Sequence, residues 1–263
     1  MIVFVIAIFL SAALLFAVQP MVGRLVLPSL GGSPAVWNTV MVFFQLSLLA
    51  GYALAHGLER FARPRVRAVV HGGMVVGSFG VLPIALPTDL IDRIGDPTLG
   101  LLATLLVGVG LPALTLATMS PLLQAWYASL DLPRRDDPYF LYAASNAGSL
   151  LGLLSYPLIA EPLWGLSSQL VGWTAGFALL GVALVPIWAS LLKGRRSQGM
   201  PAPTEPDAPA PMRRGGPMMW VLLAAAPSSL LLGVTQHIST DVAAAPLLWV
   251  VPLALYLLTF IAA

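Results

Sequence analysis

Cysteine is absent from this 263-residue chain, and charged residues make up only 9% of it. The lack of thiols excludes disulfides, thiolate metal sites and a cysteine nucleophile. Soluble globular domains carry about a quarter charged residues, whereas this chain combines its low charge with 58% hydrophobic residues and a mean hydropathy of +0.89. The composition therefore predicts an integral membrane protein whose first partner is the lipid bilayer.

The sequence also lacks clusters of residues that could bind a metal or a nucleotide, or catalyse a reaction. His237 and Asp241 are four residues apart, but two ligands are too few for a metal site. The stretch Gly108 to Ala113 matches a dinucleotide fingerprint in form, yet it lies inside an apolar segment and not between a strand and a helix. We therefore expect no catalytic residues, no cofactor, no metal and no enzyme activity of this chain. Thirteen basic against eleven acidic residues give no indication of a nucleic-acid partner.

Long apolar segments dominate what is present. A membrane-spanning helix needs about 20 mostly apolar residues, and charges or Pro/Gly clusters divide the chain into eight segments of about that length. The pattern predicts an all-α polytopic membrane protein with about eight transmembrane helices. The segments are 2–22, 36–58, 66–86, 99–126, 139–159, 170–192, 219–236 and 247–263.

A change in composition divides the chain into three parts. Residues 193–217 are rich in Pro and Ala and have basic clusters at both ends, which is typical of a linker that buries no core. The predicted domains are a six-helix bundle at 1–192, a basic cytoplasmic linker at 193–217, and two further transmembrane helices at 218–263.

The basic residues predict the orientation. Eleven of the thirteen Lys and Arg residues fall in the loops after the second, fourth and sixth segments, and only Arg24 and Arg93 fall on the other side. Because cytoplasmic loops carry the excess of Lys and Arg, both termini are expected in the cytoplasm.

Several polar residues are candidate contacts near the first join between helices. Gln19 and Arg24 follow the first apolar segment, and Arg24 either anchors in lipid headgroups or contacts an anion or partner. Trp37 lies one turn into the second helix. Asn38 and Gln45 share one helix face, which favours hydrogen bonds between helices over ligand binding.

Two threonines and an asparagine are further candidates. Thr115 and Thr118 lie between Pro112 and Pro121, where they either line a cavity or bond carbonyls of their own helix, the commoner use. Asn146 lies beside a seam of small residues four apart, so an interhelical bond is favoured over a substrate contact. The seam is Ala144, Gly148 and Gly152.

One pattern recurs three times along the chain. A proline late in one helix is followed by a proline that opens the next helix, with an aromatic residue about a turn later. A period of three helices reverses the direction of successive units, so the pattern predicts inverted three-helix repeats, as in one half of a major facilitator superfamily (MFS) protein. The three joins are Pro20 with Pro34 and Trp37, Pro121 with Pro138 and Tyr142, and Pro227 with Pro246 and Trp249.

Three blocks resemble the membrane domain of the bacterial fused MFS/spermidine synthase family. The blocks are QPMVGRLVLPSLGGSPAVWNTVMVFFQ, DPYFLYAASNAGSLLGLLSYP and GVTQHISTDVAAAPLLWVVPLALYLLTF. The resemblance implies the bacterial inner (cytoplasmic) membrane and a spermidine-synthase-like domain as partner. Such a domain requires a strand followed by a Gly-rich turn and an acidic residue, and this sequence contains no such pattern. The residues of this chain that match the family's characteristic membrane residues are Gln19, Pro20, Arg24, Gly31, Gly32, Pro34, Trp37, Asn38, Tyr142, Asn146 and Asp241.

Two functional hypotheses follow. The first is a non-catalytic scaffold or accessory subunit that docks with another membrane protein, a second copy or an enzyme domain. The alternative is an MFS-like transporter of a small solute such as a polyamine. The absence of acidic residues from the middle of any segment favours the scaffold, because a path for cations or protons needs them. The candidate contacts are Gln19, Arg24, Trp37, Asn38, Thr115, Thr118, Asn146 and Asp241.

Overall fold

The computed structural model describes residues 1–134, 138–192, 216–237 and 250–262. Within these ranges the chain forms helices and turns, with no β-strand. It divides into two compact units, Met1–Arg196 and Ser197–Ala263. The boundary between them lies inside the predicted linker.

Helices account for nearly all of the first unit. A 3-10 turn at Phe79–Val81 follows α3, and a π-helix at Tyr156–Ala160 joins α6 to α7. The helices are α1 (Ile2–Leu30), α2 (Pro34–Phe61), α3 (Pro64–Ser78), α4 (Asp89–Ile94), α5 (Pro97–Ser129), α6 (Tyr139–Ser155), α7 (Glu161–Leu163) and α8 (Leu166–Leu192). In the second unit, α9 (Pro217–His237) contacts α10 (Val250–Ala262).

Local sequence explains where the long helices begin. Pro34 and Pro97 occupy the first positions of α2 and α5, where the missing backbone N–H costs nothing. The Ser33 hydroxyl accepts a hydrogen bond from the backbone N–H of Val36, and the Asp96 carboxylate accepts one from Leu99 at 2.8 Å. These caps satisfy backbone donors that have no partner inside the helix.

Four helices in the described ranges are long and apolar enough to cross a membrane, namely α1, α2, α5 and α8. The chain is therefore an all-α protein with several candidate membrane-spanning helices. This number is smaller than the eight spans predicted from sequence. The α3 helix becomes a 3-10 turn after 15 residues, and α6 becomes a π-helix after 17, so neither is one long α-helix.

The end of the first helix corrects a sequence-based boundary. We expected a helix to Val22 with Arg24 in the join that follows, but α1 continues through Pro20 and Pro28 to Leu30. Gly31 then ends the helix with a φ of 71°, a left-handed conformation that favours glycine. Gln19 and Arg24 are thus helical residues whose directions are fixed by α1.

Two helices form the centre of the first unit. The α1 helix packs along α6 and α8, and the α5 helix packs along α2 and α3. These two central helices also contact each other, and α3 contacts α8. The largest fully buried side chains lie mostly on α1, α5, α6 and α8, so the core is the space between α1, α5 and their neighbours.

Glycine allows the closest approach between α6 and α1. A Cβ atom on Gly148 would lie 3.0 Å from the carbonyl carbon of Phe9, and one on Gly152 would lie 2.9 Å from that of Ala13. Real Cβ atoms essentially never come closer than 3.0 Å to another atom, and both positions bring the carbonyl oxygen nearer still. The predicted small-residue seam is confirmed at these two glycines.

A GxxxG spacing does not by itself locate a close helix contact. Gly73 on α3 and Gly172 on α8 each begin such a pattern, but a Cβ on either would meet no atom within 4 Å. Only the second glycine of each pattern has a neighbour, Leu111 for Gly77 and Leu14 for Gly176. The spacing of glycines identifies a candidate seam but not the helix face that is used.

Candidate functional site

A network of side chains ties together the ends of α2, α3 and α5. Arg67 in the first turn of α3 forms an ion pair with Glu59 near the end of α2. The same guanidinium donates to the backbone oxygens of Ala62 at 2.8 Å and Glu59 at 2.6 Å, which closes the short turn between the helices. The fully buried Trp126 of α5 donates its indole N–H to the Glu59 carboxylate at 2.8 Å.

A buried histidine extends this network to α8. The Nδ1 atom of His71 accepts a hydrogen bond from the indole N–H of Trp188 at 3.1 Å. Its ring also meets Trp126 edge-on, with 5.3 Å between ring centroids. Its Nε2 atom is buried and has no hydrogen-bond partner in the described part of the chain.

Sequence reasoning missed this network. Glu59 and Trp126 are 67 residues apart, and His71 and Trp188 are 117 apart, so no local pattern could pair them. The described residues contain no group of three or more His, Cys, Asp or Glu side chains that could hold a metal ion. The ion pair and the two indole hydrogen bonds connect four helices, α2, α3, α5 and α8.

Near the C-terminal end of α1, Arg24 forms an ion pair with Glu161 of the same chain. Its Nη1 atom lies 3.4 Å from the Glu161 carboxylate, and both side chains are 35% exposed. The buried phenol of Tyr156 lies within electrostatic reach of this pair. Neither alternative drawn from the sequence, a headgroup anchor or a contact with an external anion or partner, included this intramolecular pair.

The residues around Arg24 connect α1 to its neighbours. Trp37 of α2 packs over Gly23, where a Cβ would come within 2.7 Å of the ring. Gln19, one turn earlier on α1, is partly buried. Trp37 is also partly buried, so much of its ring serves packing between α1 and α2.

The two threonines of α5 are buried and bonded within their own helix. Thr115 donates to the carbonyl oxygen of Leu111 and Thr118 donates to that of Thr115, each at 2.7 Å. The Thr115 hydroxyl also lies 3.3 Å from the hydroxyl of Ser78 on α3. The sequence left two uses open for these residues, lining a cavity or bonding a carbonyl of their own helix. Both threonines bond a carbonyl of their own helix.

An exposed polar stripe runs along α2 and continues on α6. Asn38, Gln45 and Tyr52 recur every seven residues on α2, and all three are exposed. Tyr52 lies within electrostatic reach of Tyr142 on α6, which is also exposed. The partly buried Asn146 donates to the Tyr142 carbonyl oxygen at 3.1 Å. We call these five residues the α2/α6 face.

The candidate contacts thus separate into different places. Asn38 and Asn146 belong to the α2/α6 face, Arg24 pairs with Glu161, and Thr115 and Thr118 lie in the core. Asp241 lies outside the described residues. No protein-family model, no curated protein and no solved structure matches this chain.

Proposed function

We propose that this protein is a non-catalytic membrane scaffold or accessory subunit that docks with another membrane protein through the α2/α6 face. The observation that carries the proposal is the exposure of Gln45 on a membrane-spanning helix. Gln45 lies two to three residues from the middle of the 28-residue α2, about 4 Å along the axis. An amide left unbonded in hydrocarbon costs roughly 2–7 kcal/mol, so this face needs a polar partner.

We further propose that the first unit is built from two inverted three-helix repeats, as in an MFS half. In these repeats, α1 would correspond to α5, α2 to α6, and α3 to α8, so that exchanging the two repeats exchanges these helices. The packing supports this exchange, because the contact of α1 with α6 corresponds to that of α5 with α2. Likewise, the contact of α1 with α8 corresponds to that of α5 with α3.

The repeat gives six crossings in the first unit and, with α9 and α10, eight in all. The α3 helix with its 3-10 turn would be the third crossing. The continuous stretch from Tyr139 to Leu163, which includes the π-helix, would be the fifth. With the basic loops inside, both termini are cytoplasmic, and the resemblance to a bacterial family suggests the bacterial cytoplasmic membrane.

The resemblance to the fused MFS/spermidine synthase family suggests one class of cytoplasmic partner. A spermidine-synthase-like domain would be held near the membrane by this module. The scaffold needs no catalytic group of its own.

A transporter of a small solute is the second candidate. Pro112 and Pro121 lie inside the continuous central helix α5, beside its two buried threonines, which favours a helix that can bend around a path. Against this, Glu59 and Glu161 lie at helix ends, and the described residues place no carboxylate in the middle of a span. The hydroxyls of Thr115 and Thr118 are also already bonded.

Gentle extraction from the native membrane separates the two candidates. We expect the 27.7 kDa chain to leave the membrane in a stoichiometric complex, with mass and composition read by native mass spectrometry. The double variant Asn38→Leu/Gln45→Leu should lose its partner, whereas Val182→Ala on the exposed surface of α8 should keep it. Saturable solute uptake by a solitary chain in liposomes would instead establish the transporter.

A further inference from the structure

We infer that the turn between α2 and α3 binds an anionic phospholipid, with the headgroup phosphate at exposed arginines and an acyl chain along α3. The site is separate from the α2/α6 face, and it requires only that α2 crosses the membrane. The candidate span on α2 ends at Phe61, which places the turn at a membrane boundary, at the level of the lipid headgroups. The arginines are Arg60, Arg63 and Arg65.

The positive charge of this turn is not neutralised within the described part of the chain. Arg60, Arg63 and Arg65 are all exposed, and none of them forms an ion pair with another described residue. Glu59 is the only acidic residue among the first 88, and it pairs with Arg67. Three uncompensated guanidinium groups within six residues therefore favour an anion from outside the protein.

Other arginines of the chain show the contrast. Arg24 lies 3.4 Å from the carboxylate of Glu161, and Arg93 lies 2.9 Å from that of Asp89. Each of these guanidinium groups has an acidic partner in the protein itself. The cluster of arginines without such partners is thus a particular property of the α2/α3 turn and not a general property of arginine in this chain.

The turn keeps its arginines close together. The Arg67 guanidinium closes it by donating to the backbone oxygens of Ala62 and Glu59. Arg63 immediately precedes α3, and Arg65 lies in the first turn of that helix. Because consecutive Cα atoms are about 3.8 Å apart, the Cα atoms of Arg63 and Arg65 are at most about 8 Å apart. Two long arginine side chains at that separation can reach one phosphate group.

An apolar strip on α3 begins at these arginines. Arg65, Val69 and Val76 lie on the same side of α3, since positions four and seven residues apart share a helix face. The two valines are 65% and 69% exposed. Gly73 lies between them and is also exposed, and a Cβ added there would meet no atom within 4 Å. The strip of Val69, Gly73 and Val76 therefore leaves space for a hydrocarbon chain against the helix.

The combination of charge and apolar surface identifies the occupant. The arginines alone would suit any anion, and the strip alone would suit any lipid tail. Guanidinium groups at the end of an exposed apolar strip match a molecule with a phosphate at one end and hydrocarbon at the other. Phe61 adds apolar surface at the same level, because its ring is 81% exposed and its centroid lies 5.6 Å from the Arg60 guanidinium carbon.

The absence of cysteine allows a direct test. Val69→Cys is labelled with bimane, and the protein is placed in vesicles of phosphatidylcholine and phosphatidylglycerol. Nitroxide-labelled phosphatidylglycerol should quench the label with an apparent affinity about fivefold higher than nitroxide-labelled phosphatidylcholine, the effect of about one contact between a guanidinium and the phosphate. Val182→Cys, at a 68% exposed position on α8, is the control and should show no preference. All arginines remain in place in this comparison.

Removal of the charges tests the assignment to the turn. Arg60→Gln/Arg63→Gln/Arg65→Gln should abolish the preference for phosphatidylglycerol at position 69. Arg93→Gln removes an arginine that is already paired with Asp89, and it should leave the preference unchanged. Inorganic phosphate at millimolar concentration should not compete with the lipid, because it has no acyl chain to occupy the strip on α3.

Several results would overturn the lipid site. Equal quenching by the two lipids at position 69 would show that the strip does not select an anionic headgroup. An equal preference for phosphatidylglycerol at positions 69 and 182 would show a general attraction to the whole protein. A preference that survives the triple substitution would place its origin elsewhere, and competition by inorganic phosphate would indicate a site for a free anion.

Discussion

Replacing Gly148 with alanine adds one methyl group at the tightest contact between α6 and α1. The new Cβ would lie 3.0 Å from the carbonyl carbon of Phe9 and 3.1 Å from its Cα atom, and closer still to the carbonyl oxygen. Ordinary contacts begin at 3.4 Å. All three atoms belong to the backbone of a long helix, so no side-chain rotation relieves the clash and the two helices must separate.

The expected loss of stability follows from this geometry. Forcing an extra methyl into a packed contact costs about 1–3 kcal/mol, while alanine regains up to about 1 kcal/mol over glycine through helix propensity. We expect Gly148→Ala to lower the free energy of unfolding by about 1–2 kcal/mol. Gly172→Ala on α8, where a Cβ meets no atom within 4 Å, should leave it unchanged or raise it by up to about 1 kcal/mol.

Unfolding in mixed dodecyl maltoside and dodecyl sulfate micelles measures both variants against the unsubstituted protein. Tryptophan fluorescence is a suitable signal, because Trp173 of α8 donates its indole N–H to the Leu14 carbonyl of α1 at 2.9 Å. If Gly148→Ala were as stable as the unsubstituted protein, or if Gly172→Ala were equally destabilised, the assigned contact between α6 and α1 would be wrong.

The remaining predictions use the same unfolding measurement. A double-mutant cycle of Arg24→Gln and Glu161→Gln should give a coupling below about 1 kcal/mol, because both side chains are one-third exposed; a coupling of several kcal/mol would contradict this. Trp126→Phe should cost about 1.5–3 kcal/mol, because it removes a donor to the charged Glu59; no loss would argue against the network. Thr115→Val should cost about 0.5–1.5 kcal/mol and leave partner capture unchanged, since its hydroxyl is buried; loss of the partner would contradict that.

Composition and proline spacing predict the helical elements well. The sequence places a helix start beside Pro34 and another at Tyr139, and α2 and α6 begin at those residues. Both predictions depend on local chemistry, namely capping, proline geometry and the change from polar to apolar residues. The same reasoning fails at the end of α1, which was predicted at Val22, because packing against other helices sustains α1 through Pro20 and Pro28 to Leu30.

The long-range pairs were beyond such reasoning. Arg24 and Glu161 are far apart in sequence, and nothing near either residue indicates the other. Asn38 and Gln45 were correctly placed on one helix face, but the choice between an internal and an external face depends on how α2 packs against α5. Periodicity defines a face, and only the tertiary fold determines what lies opposite.

The π-helix between α6 and α7 takes up one extra residue without turning the residues that follow it. A π-turn holds one residue more than an α-turn, so deleting one residue from Tyr156–Ala160 would let α6 continue as a regular helix with Glu161 still on the side of Arg24. Deleting one residue from the regular part of α6 would instead turn every later residue by about 100° around the helix axis. In related chains, a single-residue gap within Tyr156–Ala160 would therefore predict that the ion pair is kept, whereas a gap earlier in α6 would predict its loss.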